Sequence, residues 1–261
     1  MMSEYLKTAQ QAALAAGEIL ERYFCHAMEV KTKNKAESDY VTSADTETEG
    51  AIKQMILSRF PDHGFWGEEG GQEHAKREYL WVVDPLDSTS NFTYRIPLYS
   101  TSIALLHHGE VIVGVIYVPG TEELFHAEKS QGSFCNHQAI QASKKTSLDQ
   151  SVCAIQYRST AGEFERERGL DDFTYFARRT KKIRYLSATV FELCRVARGD
   201  LDFAISDGYF IDFAAAKLIL QEAGAAFVNY DGTPIENHLD SRLVRMVASG
   251  SALLPQVLRK K

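Results

Sequence analysis

The run Trp81-Val82-Val83-Asp84-Pro85-Leu86-Asp87 constrains the fold of this chain more than any other stretch. Three consecutive β-favouring apolar residues without alternation read as a strand covered on both faces. Asp84 then leaves that strand at the edge of a core. A carboxylate there costs several kcal/mol unless it is paired, or it takes up a proton. Asp87, three positions on, adds a like charge. Pro85 stiffens the turn expected between the two acids and places the Leu86 carbonyl between them. Two carboxylates and a carbonyl are hard oxygen donors suited to magnesium, and the stretch has no His or Cys. Thr89 follows with a hydroxyl placed to hold a metal-bound water. If a helix starts there, the amides of Ser88 and Thr89 face outward as an anion site. Such a set can hydrolyse a phosphomonoester by in-line attack of water, with two or more magnesium ions and no Ser or Cys nucleophile.

The chain has 261 residues, 44% hydrophobic and 25% charged, enough to bury a core without disulfides. A net charge of −6 argues against binding a nucleic-acid polymer or an anionic membrane through overall charge. The first ten residues show no basic-then-apolar signal pattern, and no apolar run reaches spanning length. Cys25, Cys135, Cys153 and Cys194 are scattered with no C-x-x-C, so they read as reduced thiols of a cytoplasmic protein.

Periodicity predicts a helix from about residue 4 to 24, with Ser3 as cap, and a second over about 46–60. "STSIALLHHGEVIVGVIYVP" reads as a hairpin whose His107-His108 turn is solvated, with no metal-ligand spacing among the histidines. The composition becomes polar over 143–151, which divides the chain into two halves, 1–145 and 146–261. The second half alternates strands with helices near 163–179, 189–198 and 212–222, the last closed by Gly224. The expected architecture is layered α+β or α/β.

Further acids stand at the ends of elements: Asp39, Asp45, Glu68, Glu69 and Asp212. Taken singly, Asp45 and Asp212 read equally well as helix caps, and Glu68 and Glu69 as a solvated loop.

Four motifs in order, "VTSAD", "GEE", "DPLDSTSNF" and "DFAAAKLILQEAGA", preceded by Lys31, Lys33 and Lys35, resemble the inositol monophosphatase-like family of magnesium-dependent, lithium-sensitive phosphatases. The resemblance spans nearly the whole chain and implies an αβαβα sandwich of the sugar-phosphatase type. The N-terminal half would carry most metal ligands, and the C-terminal half would complete the site and substrate pocket. By motif position, Glu68, Asp84, Leu86, Asp87 and Asp212 would hold two or three Mg2+ ions. Asp45 would contact waters of the third, and Thr89 and Glu68 would orient the attacking water. Leu86, Asp87, Ser88, Thr89, Asp207 and Asp212 would line the substrate site. The implied partner is a small phosphorylated metabolite: an inositol or sugar phosphate, fructose 1,6-bisphosphate or a 3′(2′),5′-bisphosphate nucleotide. A homodimer is implied as well.

The sequence departs from the family pattern around the substrate. Ser88 stands where glycine is usual, Ile211 where tryptophan is usual, and Ala216 where glycine follows the alanine pair. The turn Ser187-Ala188-Thr189 replaces Gly-Thr/Ser-Ala. Ile205 takes the place of an acid that contacts inositol hydroxyls, with Asp207 two residues on. These departures leave open a non-catalytic relative that binds a phosphorylated ligand. A calcium-binding protein is a poorer reading, because the chain has no D-x-D-x-D-G loop.

Overall fold

The computed structural model describes residues 2–25, 30–32, 40–157, 163–240 and 242–258. Lys33, Lys35 and Asp39 lie outside them.

The chain opens with α1 (Glu4–Cys25), whose first turn is capped by the Ser3 hydroxyl accepting the Leu6 N–H at 3.1 Å. A ribbon of β1 (Val30–Thr32) and β2 (Tyr40–Thr42) leads into α2 (Ser43–Arg59). Next come β3 (Gly64–Gly67), β4 (Gly71–Glu73), β5 (Tyr79–Asp87) and the short α3 (Thr89–Thr93). A meander follows: β6 (Ser100–His107), β7 (Glu110–Val118), β8 (Glu123–Glu128), β9 (Ser133–Cys135) and β10 (Gln138–Ala139). These strands form an eight-stranded sheet in the order β10-β9-β8-β7-β6-β5-β3-β4, in which only β3 and β5 run parallel.

The remaining elements are β11 (Val152–Ile155), α4 (Glu163–Ala177), β12 (Lys182–Arg184), α5 (Thr189–Arg198), β13 (Phe203–Gly208), α6 (Phe210–Glu222), β14 (Ala225–Asn229), β15 (Val244–Gly250) and α7 (Leu254–Leu258). Their strands make a mixed five-stranded sheet, β12-β11-β13-β15-β14.

Side-chain alternation along β5 explains the layering. Trp81 and Val83 join Leu6, Ala9, Ala13, Ala16, Ile52 and Ile56 of α1 and α2. Leu80 and Val82 point the other way, into a core with Ala214, Ala215 and Leu218 of α6 and Val190 and Leu193 of α5. That core also receives Ala204 and Met246 from the small sheet. On the far face of the small sheet, Phe203, Ile205 and Val247 pack on Phe176 of α4 and Val257 of α7. The order is α1/α2, large sheet, α5/α6, small sheet, α4/α7: five layers, an αβαβα sandwich.

The sandwich accounts for the sequence of α6. Lying between two sheets, it buries Phe213, Ala214, Ala215, Ala216, Leu218, Ile219 and Leu220 and leaves only Gln221 exposed. The small side chains let it approach β7 closely. A Cβ on Gly114 would come within 2.6 Å of the Ala215 carbonyl oxygen, so only glycine fits under the helix there.

Two local expectations change. The second helix begins at Ser43, so Asp45 lies inside its first turn and is not its cap. The Pro85-Leu86 turn is a β-bulge within β5, between the pairs Asp84↔Ser102 and Asp87↔Ser100. Proline needs no ladder donor at a bulge, so it is tolerated in a central strand. The Thr101 hydroxyl donates to the Pro85 carbonyl at 2.9 Å and fixes the bulge. Among the described residues, no helix is long and apolar enough to cross a membrane.

Candidate active site

The parallel pairing of β3 and β5 builds the centre of the site. β3 ends at Gly67 opposite Val83, and the Glu68 N–H donates to the Val83 carbonyl at 3.2 Å. Glu68 and Asp84 therefore emerge side by side from the carboxyl ends of neighbouring parallel strands, where open α/β sheets place their ligands. The bulge brings Asp87 back toward Asp84 from the same strand. The first turn of α2 supplies Asp45, which is 3% exposed. The first turn of α6 supplies Asp212. Asp212 is not the N-cap of α6; that residue is Tyr209, and the Asp212 carboxylate accepts its N–H at 2.8 Å.

Five carboxyls thus converge from four elements. Asp84 is 2% exposed, and its pKa is raised well above the usual carboxylate range, first by burial and then by the charges of Glu68, Asp87, Asp212 and Asp45. Asp87 is pushed up to about 6 by burial, against the pull of hydrogen bonds from the Ser88 hydroxyl and the Val190 amide. No lysine or arginine among the described residues forms an ion pair with Asp84 or Asp87. Oxygen-only donors gathered at this density of carboxyls fit a hard divalent cation, and they fit softer metals poorly.

The neighbouring groups are held in place. Asp84 Oδ1 accepts the Leu86 N–H at 3.0 Å, and the Thr89 hydroxyl donates to the Leu86 carbonyl at 3.1 Å. Asp87 Oδ2 accepts from the Ser88 hydroxyl at 2.8 Å and from the Val190 N–H at 3.3 Å, which ties the bulge to α5. Ser88 adopts φ 69 and ψ 43, the left-handed conformation that favours glycine. Ser187 does the same at φ 55. At these two of the three positions where the family pattern has glycine, the backbone keeps a glycine-like conformation and a serine bears it; the third, Ala216, is an ordinary helical residue of α6.

Asp207 is engaged elsewhere. It lies on β13, and its Oδ2 accepts from Arg245 Nη1 at 2.7 Å within a buried network with Asp172. Ile205 points into the core under α4.

With this geometry in view, the comparison with known sequences is decisive: residues 1–260 match the inositol monophosphatase family. The chain belongs to the inositol monophosphatase family. It is accordingly a phosphoric monoester hydrolase, of a family that is generally metal-dependent and acts on small phosphorylated substrates.

Similar proteins include an inositol-1-monophosphatase of Synechocystis, 34% identical over 90% of this chain and 82% of that protein. A fructose-1,6-bisphosphatase/inositol-1-monophosphatase of Aquifex aeolicus is 32% identical over 87% of this chain and 86% of its own length. Among solved structures, the extragenic suppressor protein suhB of Bartonella henselae superposes with a TM-score of 0.90 at 29% identity, covering 98% of both chains.

This family member carries supporting residues that the motifs alone did not reveal. Glu49, one turn beyond Asp45 on α2, accepts the N–H groups of Glu69 and Gly70 at 2.8 and 2.7 Å and anchors the loop that presents Glu68. A Cβ on Gly67 would lie 2.3 Å from the Glu49 carboxyl carbon, which accounts for the glycine of "GEE". Asn91 Nδ2 donates to the Leu98, Leu186 and Ser187 carbonyls at 3.0, 3.0 and 3.3 Å, binding the "DPLDSTSNF" segment to the 186–187 turn. The helical spacing of Asp45 and Glu49 was a usable signal for the first. Nothing local signals the second, whose acceptors are up to 96 residues away.

Glu192 on α5 is the least expected. Fully buried, it accepts the Leu186 N–H at 3.1 Å and the Gln156 amide at 2.9 Å, while the Thr189 hydroxyl donates to Gln156 Oε1 at 3.0 Å. Burial pushes its pKa up to about 8. Its folded value exceeds its usual value of 4.5, so its contribution to stability is complete below pH 4.5 and is lost as pH rises through about 8. Glu192→Gln is expected to flatten the fall in thermal midpoint between pH 6.5 and 9, an effect of about 2 kcal/mol at about 1.4 per pH unit over the roughly 1.5 units up to pH 8. Calorimetry across that range checks it, and an unaltered pH profile would show that Glu192 does not titrate there.

Proposed function

We propose that this protein is a magnesium-dependent phosphatase acting on a small phosphorylated metabolite of the inositol phosphate or sugar phosphate class. The observation that carries this reading is the convergence of Glu68, Asp84, Asp87, Asp212 and Asp45 on one buried centre, where no lysine or arginine among the described residues forms an ion pair with Asp84 or Asp87. In the proposal, Glu68, Asp84, the Leu86 carbonyl, Asp87 and Asp212 hold the ions. Magnesium bound there would neutralise the phosphate and lower the pKa of water enough to make it a nucleophile near neutrality.

The chain's own groups do the rest. Glu68 and the Thr89 hydroxyl orient the attacking water in line with the scissile phosphorus–oxygen bond. Thr89 Oγ1 already donates to the Leu86 carbonyl, so its lone pairs are turned outward to receive a water proton. The backbone amides of Ser88 and Thr89 grip the phosphate. Asp45, buried beneath the centre, draws positive charge toward it. Asp207, saturated by Arg245, would shape the pocket wall and would not bind a substrate hydroxyl directly.

The test is phosphate release from inositol 1-phosphate, fructose 1,6-bisphosphate, a 3′-phosphoadenosine nucleotide and a generic sugar phosphate, with and without magnesium. At least one substrate should show release that depends on magnesium and falls with millimolar lithium. No magnesium-dependent release from any of the four would sink the proposal.

The two left-handed serines favour a second reading, a phosphate-binding relative with weak turnover. Ser88→Gly separates the two. It relieves a left-handed conformation costing about 1 kcal/mol, offset by a similar entropy gain in the unfolded chain. Stability should change by less than about 1 kcal/mol. Asp87 loses the hydroxyl partner that holds its pKa down, so an active enzyme should lose turnover, by about fivefold, the equivalent of one hydrogen bond. An inert wild type that gains activity only with glycine would support the binding reading.

A further inference from the structure

The sequence gives no reason to group Glu78 with His107 and His108, yet the fold brings them together. Glu78 immediately precedes β5, His107 ends β6, and His108 begins the two-residue turn to β7. The register Tyr79↔His107 sets Glu78 beside the turn, and the His108 N–H donates to the Glu78 carbonyl at 2.9 Å. His108 is left-handed at φ 49, which turns its ring back over the strand end. As a result His107 Nε2 and His108 Nε2 lie 2.8 and 3.4 Å from the same oxygen, Glu78 Oε1. One ligand atom from each residue lies within 4.8 Å of the others. The His107 ring is held by stacking on Tyr79, with centroids 4.4 Å apart, and Tyr79 stacks in turn on His63 at 4.7 Å.

We propose that Glu78, His107 and His108 form a binding site for one divalent transition-metal ion of the zinc class, separate from the acidic centre. Zinc bonds of about 2.1 Å at tetrahedral angles put neighbouring donor atoms about 3.4 Å apart. The His108–Glu78 separation already has this value, and the His107–Glu78 pair needs to open by only about 0.6 Å. Two imidazole nitrogens and one carboxylate oxygen suit zinc, nickel or copper(II) and not magnesium. The site is three-coordinate from protein and open to solvent, so water completes it. It lies toward the opposite end of β5 from Asp84, roughly 20 Å away over the six residues from Glu78 at about 3.3 Å per residue. A bound ion would clamp the start of β5 to the β6–β7 turn and would leave the acidic centre untouched.

The test is a titration of metal-free full-length protein with zinc, repeated with cobalt(II) to follow visible d–d absorption, and with magnesium as control. Wild type and Asp84→Asn should both bind one zinc equivalent that magnesium does not displace, with cobalt bands of a nitrogen-containing site. His108→Asn, which keeps a residue tolerant of the left-handed turn, and Glu78→Gln should each weaken that equivalent at least about tenfold, since even groups that only support metal ligands are worth 10–100-fold. Magnesium-dependent phosphatase activity of both variants should stay at the wild-type level. Zinc stoichiometry and affinity unchanged in His108→Asn and Glu78→Gln, or a zinc equivalent lost only in Asp84→Asn, would overturn the proposal. Copper(II) paramagnetic resonance of wild type gives a reading independent of any variant: coupling to two nitrogens is expected, and a spectrum without nitrogen coupling would equally overturn it.

Discussion

Asp84→Asn is expected to lower phosphate release by about 10²–10³-fold or more, while raising the thermal midpoint of the metal-free protein. The first effect follows from position. Asp84 stands at the centre of the acid cluster, and its charge is felt with those of Glu68, Asp87, Asp212 and Asp45. Removing one preorganised electrostatic group from a water-poor site typically costs that much in rate. The second effect has the opposite sign for the same reason. Without a counter-ion, a buried carboxylate among four others opposes folding above its usual pKa. Asparagine removes the charge and keeps the oxygen that accepts the Leu86 N–H. Relief of roughly 1–3 kcal/mol corresponds to a rise of several degrees for a chain this long. Magnesium should raise the midpoint of wild type and fail to do so for Asp84→Asn. Phosphate-release kinetics and thermal melts with and without magnesium read both effects. Retained activity, or an undiminished magnesium shift in the variant, would show that Asp84 does not hold the ion.

Arg245→Met should cost about 3–5 kcal/mol of stability, a drop of about 10 °C in the thermal midpoint. Arg245 is buried on β15 and serves two carboxylates at once, Asp207 at 2.7 Å and Asp172 at 2.5 Å. Asp172 also accepts from the Tyr230 hydroxyl at 2.6 Å, and the Arg245 guanidinium lies 5.2 Å from the centre of that tyrosine ring. Methionine would leave both carboxylates in the interior without their cation. Adding Asp172→Asn and Asp207→Asn removes those charges and should restore at least half of the loss, because most of the penalty is the stranded charge. Urea denaturation of the single and triple variants measures it. A single variant within 1 kcal/mol of wild type would mean that water already compensates these acids. The comparison also bears on Asp207: if its main partner is Arg245, Asp207→Asn lowers stability and leaves KM nearly unchanged.

The candidate site residues were legible where local sequence constrains local geometry. An apolar strand running into Asp84 and Asp87 through Pro85 dictated buried acids, and the structure buries both. The helix α1 was readable from apolar spacing and its Ser3 cap, α6 from its alanine run closed by Gly224, and α5 from the alternation of strands and helices. The bulge at Pro85-Leu86 was not, because a turn and a bulge place the same residues between two acids; pairing with Ser100 and Ser102 decides between them. Nor was the conformation of Ser88 and Ser187. Serine favours neither sign of φ strongly enough to announce a left-handed residue, and the fold imposes it through contacts such as those of Asn91.

Taken by itself, the sequence determined the alternation of elements, the acid motifs and their order, because hydrophobic period, proline and capping chemistry act over a few residues. Tertiary structure alone decided which groups meet. Five carboxyls scattered from Asp45 to Asp212 share one centre because β3 and β5 run parallel and α2 and α6 begin beside them. Asp207 went to Arg245, and Glu192 was buried beside Gln156, through contacts 38 and 36 residues apart. The turn histidines, solvated on a sequence reading, were drawn onto Glu78 by the β5–β6 register. Separations of that length leave no periodic trace in a chain, so only its packing reveals them.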